Sequence, residues 1–127
     1  MSALLVPLAV CLAGSLGAVA RFVVDGEVRR RWPTTFPWPT VGVNVTGSLL
    51  LGLVTGLVLA GAGPQDLRAV AGLGFCGGYT TFSTAVLESV RLAQRGAWWA
   101  AAGNAAGTLV ATTAAAAAGL AAGLALG

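Results

Sequence analysis

The chain has 127 residues, of which 57% are hydrophobic and 9% are charged, and it contains no histidine. Its net charge is +3, and the few charged residues fall in short clusters. This composition excludes an ordinary soluble domain and indicates a membrane protein. The sequence offers no nucleophile and base pair, no carboxylate pair and no phosphate-binding loop, so we do not expect an enzyme.

Long uncharged stretches separate the charge clusters, and each can hold the roughly 20 apolar residues that a helix needs to cross a bilayer. These stretches are residues 1–20, 32–65, 69–87 and 96–127. We therefore predict an all-α, multi-pass protein of the cell membrane, with a single domain over residues 1–127. The transmembrane helices are predicted at residues 3–22, 39–61, 67–93 and 97–125.

The first predicted helix has one alternative interpretation. Its apolar run ends in "AVA" before Arg21, which resembles a signal-peptide cleavage site, but no Lys or Arg precedes the run, and this favours a retained helix. Gly14 and Gly17 are spaced for close helix packing. Cys11 and Cys76 fall in predicted spans without a histidine or third cysteine to share a metal, so we interpret both as small packing residues.

The connection after this helix, residues 25–39, has the composition of a membrane boundary. It carries three consecutive arginines, three prolines and two tryptophans. Arginine and tryptophan are enriched where a membrane meets water. We predict an interfacial loop or a short surface helix there.

Neutral polar residues follow one face of the second and fourth predicted helices, at four-residue spacing. They are Thr40, Asn44 and Ser48 in the second helix, and Asn104, Thr108 and Thr112 in the fourth. Such stripes either hold helices together or line a hydrated path. The fourth helix also has glycines spaced for close packing: Gly103, Gly107, Gly119, Gly123 and Gly127.

The third predicted helix contains the pair Gly77-Gly78, followed by five hydroxyl side chains within residues 79–84. Paired glycines permit φ/ψ values that a helix does not use, and small hydroxyls can satisfy the backbone groups that a break exposes. We predict that this helix is broken near the middle of the membrane. Carbonyl groups freed at such a break can coordinate a cation.

Three segments together resemble a known family. They are "GSLGAVAR" (residues 14–21), "TVGVNVTGSLLLG" (residues 40–52) and "GFCGGYTTFSTAVLE" (residues 74–88). In this order, and at these helix positions, they are similar to the Fluc (CrcB-type) fluoride channels, small four-helix proteins that export fluoride from microbial cells. The set covers three of the four predicted helices.

The resemblance implies an antiparallel dimer with two fluoride pores and a sodium ion, structural or activating and not transported, at its centre. Backbone carbonyls of Gly77 and Thr80 would hold the sodium ion. The structural residues would be Arg21, Gly78 and Glu88. With the polar stripes, the resemblance gives the predicted fluoride-pore residues: Phe82, Asn44, Ser83, Thr84, Thr40, Asn104 and Thr108.

The chemistry of these residues suits fluoride, which is small and strongly hydrated. Hydroxyl and amide groups can replace its water as close hydrogen-bond donors and still release the ion. The edge of a phenylalanine ring carries partial positive charge and can face an anion. One departure from the family is Ala85, where a second phenylalanine is usual, and it leaves open whether the pore side built by this subunit is complete.

The sequence gives less support to two other functions. A small multidrug exporter, also a four-helix protein, needs a carboxylate in its first membrane helix, and residues 1–20 contain none. Glu88 lies near the end of the third predicted helix, and we interpret it as a structural partner. A non-transporting membrane scaffold would explain the glycines but would leave Asn44 and the hydroxyl cluster without a role.

The arginines predict an orientation and bear on the partner. With four spans, the loops after the first and third helices share one side of the membrane and hold six arginines, against Arg68 alone on the other side. Positive charge favours the cytoplasmic side, so both termini are predicted to lie outside. This bias favours a heterodimer with an oppositely oriented sister subunit, whereas the resemblance alone equally permits a homodimer.

Overall fold

The computed structural model describes residues 3–127, and every regular element in that range is helical. Residues 65–94 supply one membrane-length span, and a single long helix supplies each of the other three, so the predicted all-helical chain with four spans is confirmed. The helices are α1 (Leu5–Arg31), α2 (Trp38–Leu59), α3 (residues 65–79), α4 (Ser83–Gln94) and α5 (Trp98–Leu126).

Helix α1 continues nine residues past its predicted end at residue 22, to Arg31. Its last turns are tied by ion pairs one turn apart: Arg29 with Asp25 at 2.9 Å, and Glu27 with both Arg30 at 2.9 Å and Arg31 at 3.3 Å. Such i,i+3 and i,i+4 pairs stabilise a helix modestly. The prediction of a loop or short surface helix is therefore wrong for residues 25–31, which belong to α1.

Two glycines end helices by adopting a left-handed conformation that other residues rarely accept. Gly61 has φ of 84° and follows α2, and Gly96 has φ of 81° and follows α4. After each, the chain turns back and donates to carbonyls of the last helical turn, as from Ala62 N to Leu57 O at 2.9 Å. These turns are the Schellman motif, and they set the short connections between the spans.

Helix α3 is not uniform. Residues Gln65–Leu67 and Gly77–Tyr79 are α-helical, but Arg68–Cys76 between them forms a π-helix. A π-helical stretch is rare and is most often found at functional sites, since its wider turn changes which side chains share a face. Nothing in the sequence predicts it.

Helices α2 and α5 pack along each other for most of their length, backbone against backbone. A Cβ atom on Gly52 would meet the Ala116 carbonyl oxygen, and one on Gly119 would meet the Leu49 carbonyl oxygen. Small residues permit this close approach. Gly123 is likewise enclosed, whereas Gly103 and Gly107 face open space within this subunit, so a packing role for that pair stays a prediction.

Helix α1 packs against α3 in the same way. Gly17 lies against the Phe75 carbonyl, and Gly78 lies against the backbone of Gly14. Cys76 is buried at this level, as a packing residue should be, whereas Cys11 is exposed on the outer face of α1 and does not pack inside the subunit. The two helix pairs leave a groove bounded by α2, α3, α4 and α5.

Candidate functional site

The site begins where α3 and α4 fail to join. Thr80 is extended, with φ of −81° and ψ of 161°, and helical structure resumes only at Ser83. Gly77 is helical, with φ of −61° and ψ of −40°, and Gly78 has no positive φ. The helix is interrupted at residues 80–82, and the depth of this interruption in the membrane stays a prediction. The glycine pair is not its cause, because both glycines belong to the helical segment Gly77–Tyr79.

A side chain from another helix satisfies the backbone at the interruption. The N–H of Thr81 donates to Asn44 Oδ1 at 2.7 Å, and Asn44 Nδ2 donates to the Thr81 carbonyl at 2.8 Å. Asn44 is buried in α2, so its amide takes the place of the helical neighbours that Thr81 lacks. The interruption is therefore held by a specific contact between α2 and the segment that follows α3.

Two hydroxyl groups of the cluster bond the backbone at the interruption. Thr80 Oγ1 donates at 2.8 Å to the Cys76 carbonyl, which already accepts from the Thr80 N–H at 2.9 Å, as an ordinary helix hydroxyl does. Thr81 Oγ1 accepts from the N–H of Thr84 at 3.3 Å and donates to Thr84 Oγ1 at 3.1 Å, so it satisfies an N–H in the first turn of α4. Of the exposed backbone groups that the hydroxyls were expected to satisfy, the Thr84 N–H is therefore one.

The two carbonyls predicted to hold a sodium ion belong to this interruption. The Thr81 N–H, which would reach the Gly77 carbonyl in a continuous helix, donates to Asn44 instead. A Cβ atom added to Gly77 would meet nothing within 4 Å. The Thr80 carbonyl accepts from Arg21 Nη1 at 3.0 Å, and this contact places Arg21 at the interruption.

A groove of about 580 Å³ runs beside the interruption, open on one side, between α2, α3, α4 and α5. Apolar side chains form much of its wall, and no charged side chain contributes to it. Its hydrogen-bonding side chains are neutral: Asn44, Ser48, Thr80, Thr81, Ser89, Asn104, Thr108 and Thr112. Such a wall can solvate an ion of either sign without holding it by opposite charge.

The predicted pore residues divide between the groove and its surroundings. Those that line the groove are Asn44, Phe82, Asn104 and Thr108. Phe82 stands out from the subunit with 84% of its surface exposed. The others lie outside the wall: Ser83 is exposed, Thr84 bonds Thr81, and Thr40 bonds Glu88. Their assignment to a pore stays a prediction.

The three residues of the polar stripe on α5 differ in the hydrogen bonds that they make. Asn104, only 2% exposed, donates from Nδ2 to Ser89 Oγ at 2.8 Å and joins α5 to α4. Thr112 donates back to the Thr108 carbonyl at 2.7 Å, as an ordinary helix hydroxyl does. Thr108 Oγ1 is buried and has no partner within residues 3–127. Sequence reasoning missed Ser89, although its place one turn after Ala85 puts it on the groove-facing side of α4.

Glu88 joins three helices beside the groove. Its Oε1 accepts from Thr40 Oγ1 of α2 at 2.9 Å and from Arg29 Nη2 of α1 at 3.1 Å. The structural role predicted for Glu88 stays a prediction, now with two named partners. Sequence reasoning missed Arg29, because α1 was expected to end before it.

Comparison with known proteins adds independent information. The family model described as CrcB-like protein, Camphor Resistance (CrcB), matches residues 8–120. A protein of Leifsonia xyli subsp. xyli named fluoride-specific ion channel FluC 1 is 59% identical over 97 residues, which cover 76% of this chain and 71% of that protein.

Two further relatives carry the same functional name. Fluoride-specific ion channel FluC 2 of Cutibacterium acnes is 53% identical over 85 residues, which are 66% of this chain and 69% of the relative. Fluoride-specific ion channel FluC 1 of Streptomyces avermitilis is 45% identical over 95 residues, which are 74% of this chain and 77% of the relative. The four apolar spans and these matches agree, and the chain belongs to the CrcB-like protein family as a multi-pass membrane protein.

Proposed function

We propose that this chain is a subunit of a fluoride-selective channel through which fluoride leaves the cytoplasm passively. The observation that carries the proposal is the groove, whose hydrogen-bonding wall is neutral and contains no carboxylate. The names of the relatives, all fluoride-specific ion channels, support the same ion. A carboxylate would repel an anion or invite proton coupling, and neither suits passive anion flow.

Fluoride selectivity follows from the kind of donor at the groove. The Thr108 hydroxyl, which has no partner within residues 3–127, and the second N–H of Asn44 Nδ2 offer close donors to a small anion, and the larger chloride gains less from them. Asn104 uses both of its amide N–H groups on Ala85 and Ser89 and has a positioning role. Phe82, exposed and beside the groove, presents a ring whose edge is weakly positive. Neutral donors and a ring edge bind fluoride weakly enough for it to leave, which a conducting site requires.

The interruption after α3 would lie near the middle of the membrane and would hold a sodium ion. Residues 65–94 form one span, and Thr80 lies at its centre, which supports that depth. The chain fits a backbone site, because Asn44 draws the Thr81 N–H away from the Gly77 carbonyl, and the Thr80 carbonyl keeps a second lone pair beside its bond from Arg21. Carbonyl oxygen is the ligand type that such a cation prefers at unwound helices.

Two carbonyls from one chain leave a sodium ion under-coordinated, so a second subunit would supply two more. The open side of the groove and the exposed Phe82 support a dimer whose partner closes the pore. In an antiparallel dimer the two subunits present the same groove from opposite sides. Because five arginines lie on one side and Arg68 on the other, with Arg21 at the interruption, we favour an oppositely oriented sister subunit over a homodimer.

Imposing a pH gradient across liposomes that contain the conducting assembly tests the passive mechanism. At neutral to alkaline pH, fluoride should move only down its own electrochemical gradient. Fluoride accumulation driven uphill by the pH gradient would instead favour a coupled transporter. Transport of organic cations with proton exchange would favour the small multidrug exporter, although the first acidic residue of α1 is Asp25, near its end.

A further inference from the structure

The two carboxylate oxygens of Glu88 lie in different environments. One oxygen, Oε1, accepts from both Thr40 and Arg29, at 2.9 and 3.1 Å. The other, Oε2, is buried and has no partner in the described part of the chain. The side chain is 14% exposed. A carboxylate so placed keeps a strong local field unless a cation stays close to it.

This carboxylate lies beside the groove, outside its wall. On α4, the neighbouring residues Ala85 and Ser89 line the groove, and on α2, Thr40 is one turn before Asn44, which also lines it. The hydrogen bond from Thr40 to Glu88 thus bridges the two helices next to the groove wall. An anion in the groove passes close to a negative side chain.

Arg29 is the guanidinium in contact with that carboxylate. It extends from the last turns of α1 and is also paired with Asp25 at 2.9 Å. The next two arginines of the same helix end, Arg30 and Arg31, pair with Glu27 on the exposed side instead. Among residues 3–127, Arg29 alone forms an ion pair with Glu88.

We propose that Arg29 is a positioning residue for anion passage, which neutralises Glu88 beside the groove and holds its carboxylate toward α1. This inference rests on the proposed fluoride conduction. Without Arg29, the carboxylate presents an uncompensated negative charge to fluoride, and repulsion in a partly buried site slows its passage. The nine extra residues of α1 therefore have a function, since they carry Arg29 to α4.

Fluoride efflux from liposomes that contain the conducting assembly tests this role. Arg29→Gln should lower the rate by about tenfold, because like charges at an interface of low dielectric raise the barrier. The double variant Arg29→Gln with Glu88→Gln should recover to within about twofold of Glu88→Gln alone. Arg29→Lys, which keeps the charge, should stay near the wild type.

The matched control is Arg30→Gln, which removes the same charge from the same helix end but leaves Glu88 paired. Its rate should stay near that of the wild type. A rate for Arg29→Gln equal to that of Arg30→Gln, or a double variant as slow as Arg29→Gln, would overturn the inference while the proposed function stands. Absence of fluoride efflux in the wild-type assembly would overturn both.

Discussion

A single amide, that of Asn44, satisfies both backbone groups of Thr81 at the interruption between α3 and α4. Its oxygen accepts and its nitrogen donates, so it matches a peptide group in the same way that a neighbouring strand would. A hydroxyl or a carboxylate cannot offer this combination at fixed geometry. The residue type is therefore set by the broken backbone, whatever further use fluoride makes of the amide.

Replacing Asn44 by alanine should lower the free energy of unfolding by roughly 2–4 kcal/mol, because the N–H and C=O of Thr81 are left without these partners. The matched control is Ser48→Ala, one turn further along α2 and also on the groove, whose hydroxyl takes no part in the interruption. That variant should change stability by less than about 0.5 kcal/mol. Equal unfolding curves in detergent for both variants would show that the pairing with Thr81 is dispensable.

At this scale the sequence identified Asn44, because an amide within a membrane span needs a partner. It could not identify the partner, since Asn44 and Thr81 belong to different helices and meet only through the fold. The same holds for Arg29 and Glu88, which lie far apart in the chain. The residues that carry chemistry are visible from the sequence, but their pairs depend on the packing of helices.

Helices α1 and α3 are in direct contact through their backbones. Gly78 of α3 lies against the carbonyl of Gly14 in α1, so that a side chain there would push the two helices apart. Gly77, its neighbour in sequence, faces open space. The two adjacent glycines therefore have different surroundings: Gly78 packs against α1, and Gly77 lines the groove.

Gly78→Ala should lower the free energy of unfolding by about 1–3 kcal/mol, because the added methyl group overlaps the backbone of α1. Gly77→Ala is the matched control, with the same chemical change one residue earlier. It should leave the stability of the subunit unchanged or raise it by up to about 1 kcal/mol, since alanine is the better helix former. Thermal unfolding that ranks the two variants in the opposite order would contradict the packing described for α1 and α3.

Four helical spans could be predicted from charge-free stretches, because hydropathy and length decide them. The true end of α1 could not be seen that way, since residues 25–31 are charged and are kept helical by pairs such as Arg29 with Asp25. The π-helix Arg68–Cys76 and the helical φ/ψ of Gly77 also escaped prediction. Neither is indicated by the propensities of the residues in that segment.

The whole molecule has a charge asymmetry that bears on how it enters the membrane. Five arginines, in or next to the ends of α1 and α4, lie on the side opposite Arg68, while Arg21 lies at the interruption. A subunit that must form an antiparallel dimer with itself needs both orientations, and a strong bias opposes that.

When the chain is expressed alone with a reporter at its C-terminus, most molecules should place the reporter outside the cytoplasm, because the arginine-rich side is retained inside. The control is a variant with Arg29, Arg30 and Arg31 changed to Gln, which should shift the population toward both orientations. Equal populations for the unmodified chain, together with fluoride efflux by the chain alone, would contradict the sister-subunit proposal.

The most direct test of the central claim compares two anions in one preparation. The assembly, purified with any partner that accompanies the chain, is placed in liposomes loaded with fluoride or with chloride, and efflux is followed with ion-selective electrodes. Fluoride should leave far faster than from protein-free liposomes, while chloride should leave no faster than from them, because the neutral donors of the groove favour the smaller anion. Chloride efflux comparable to that of fluoride, or no fluoride efflux at all, would contradict the account.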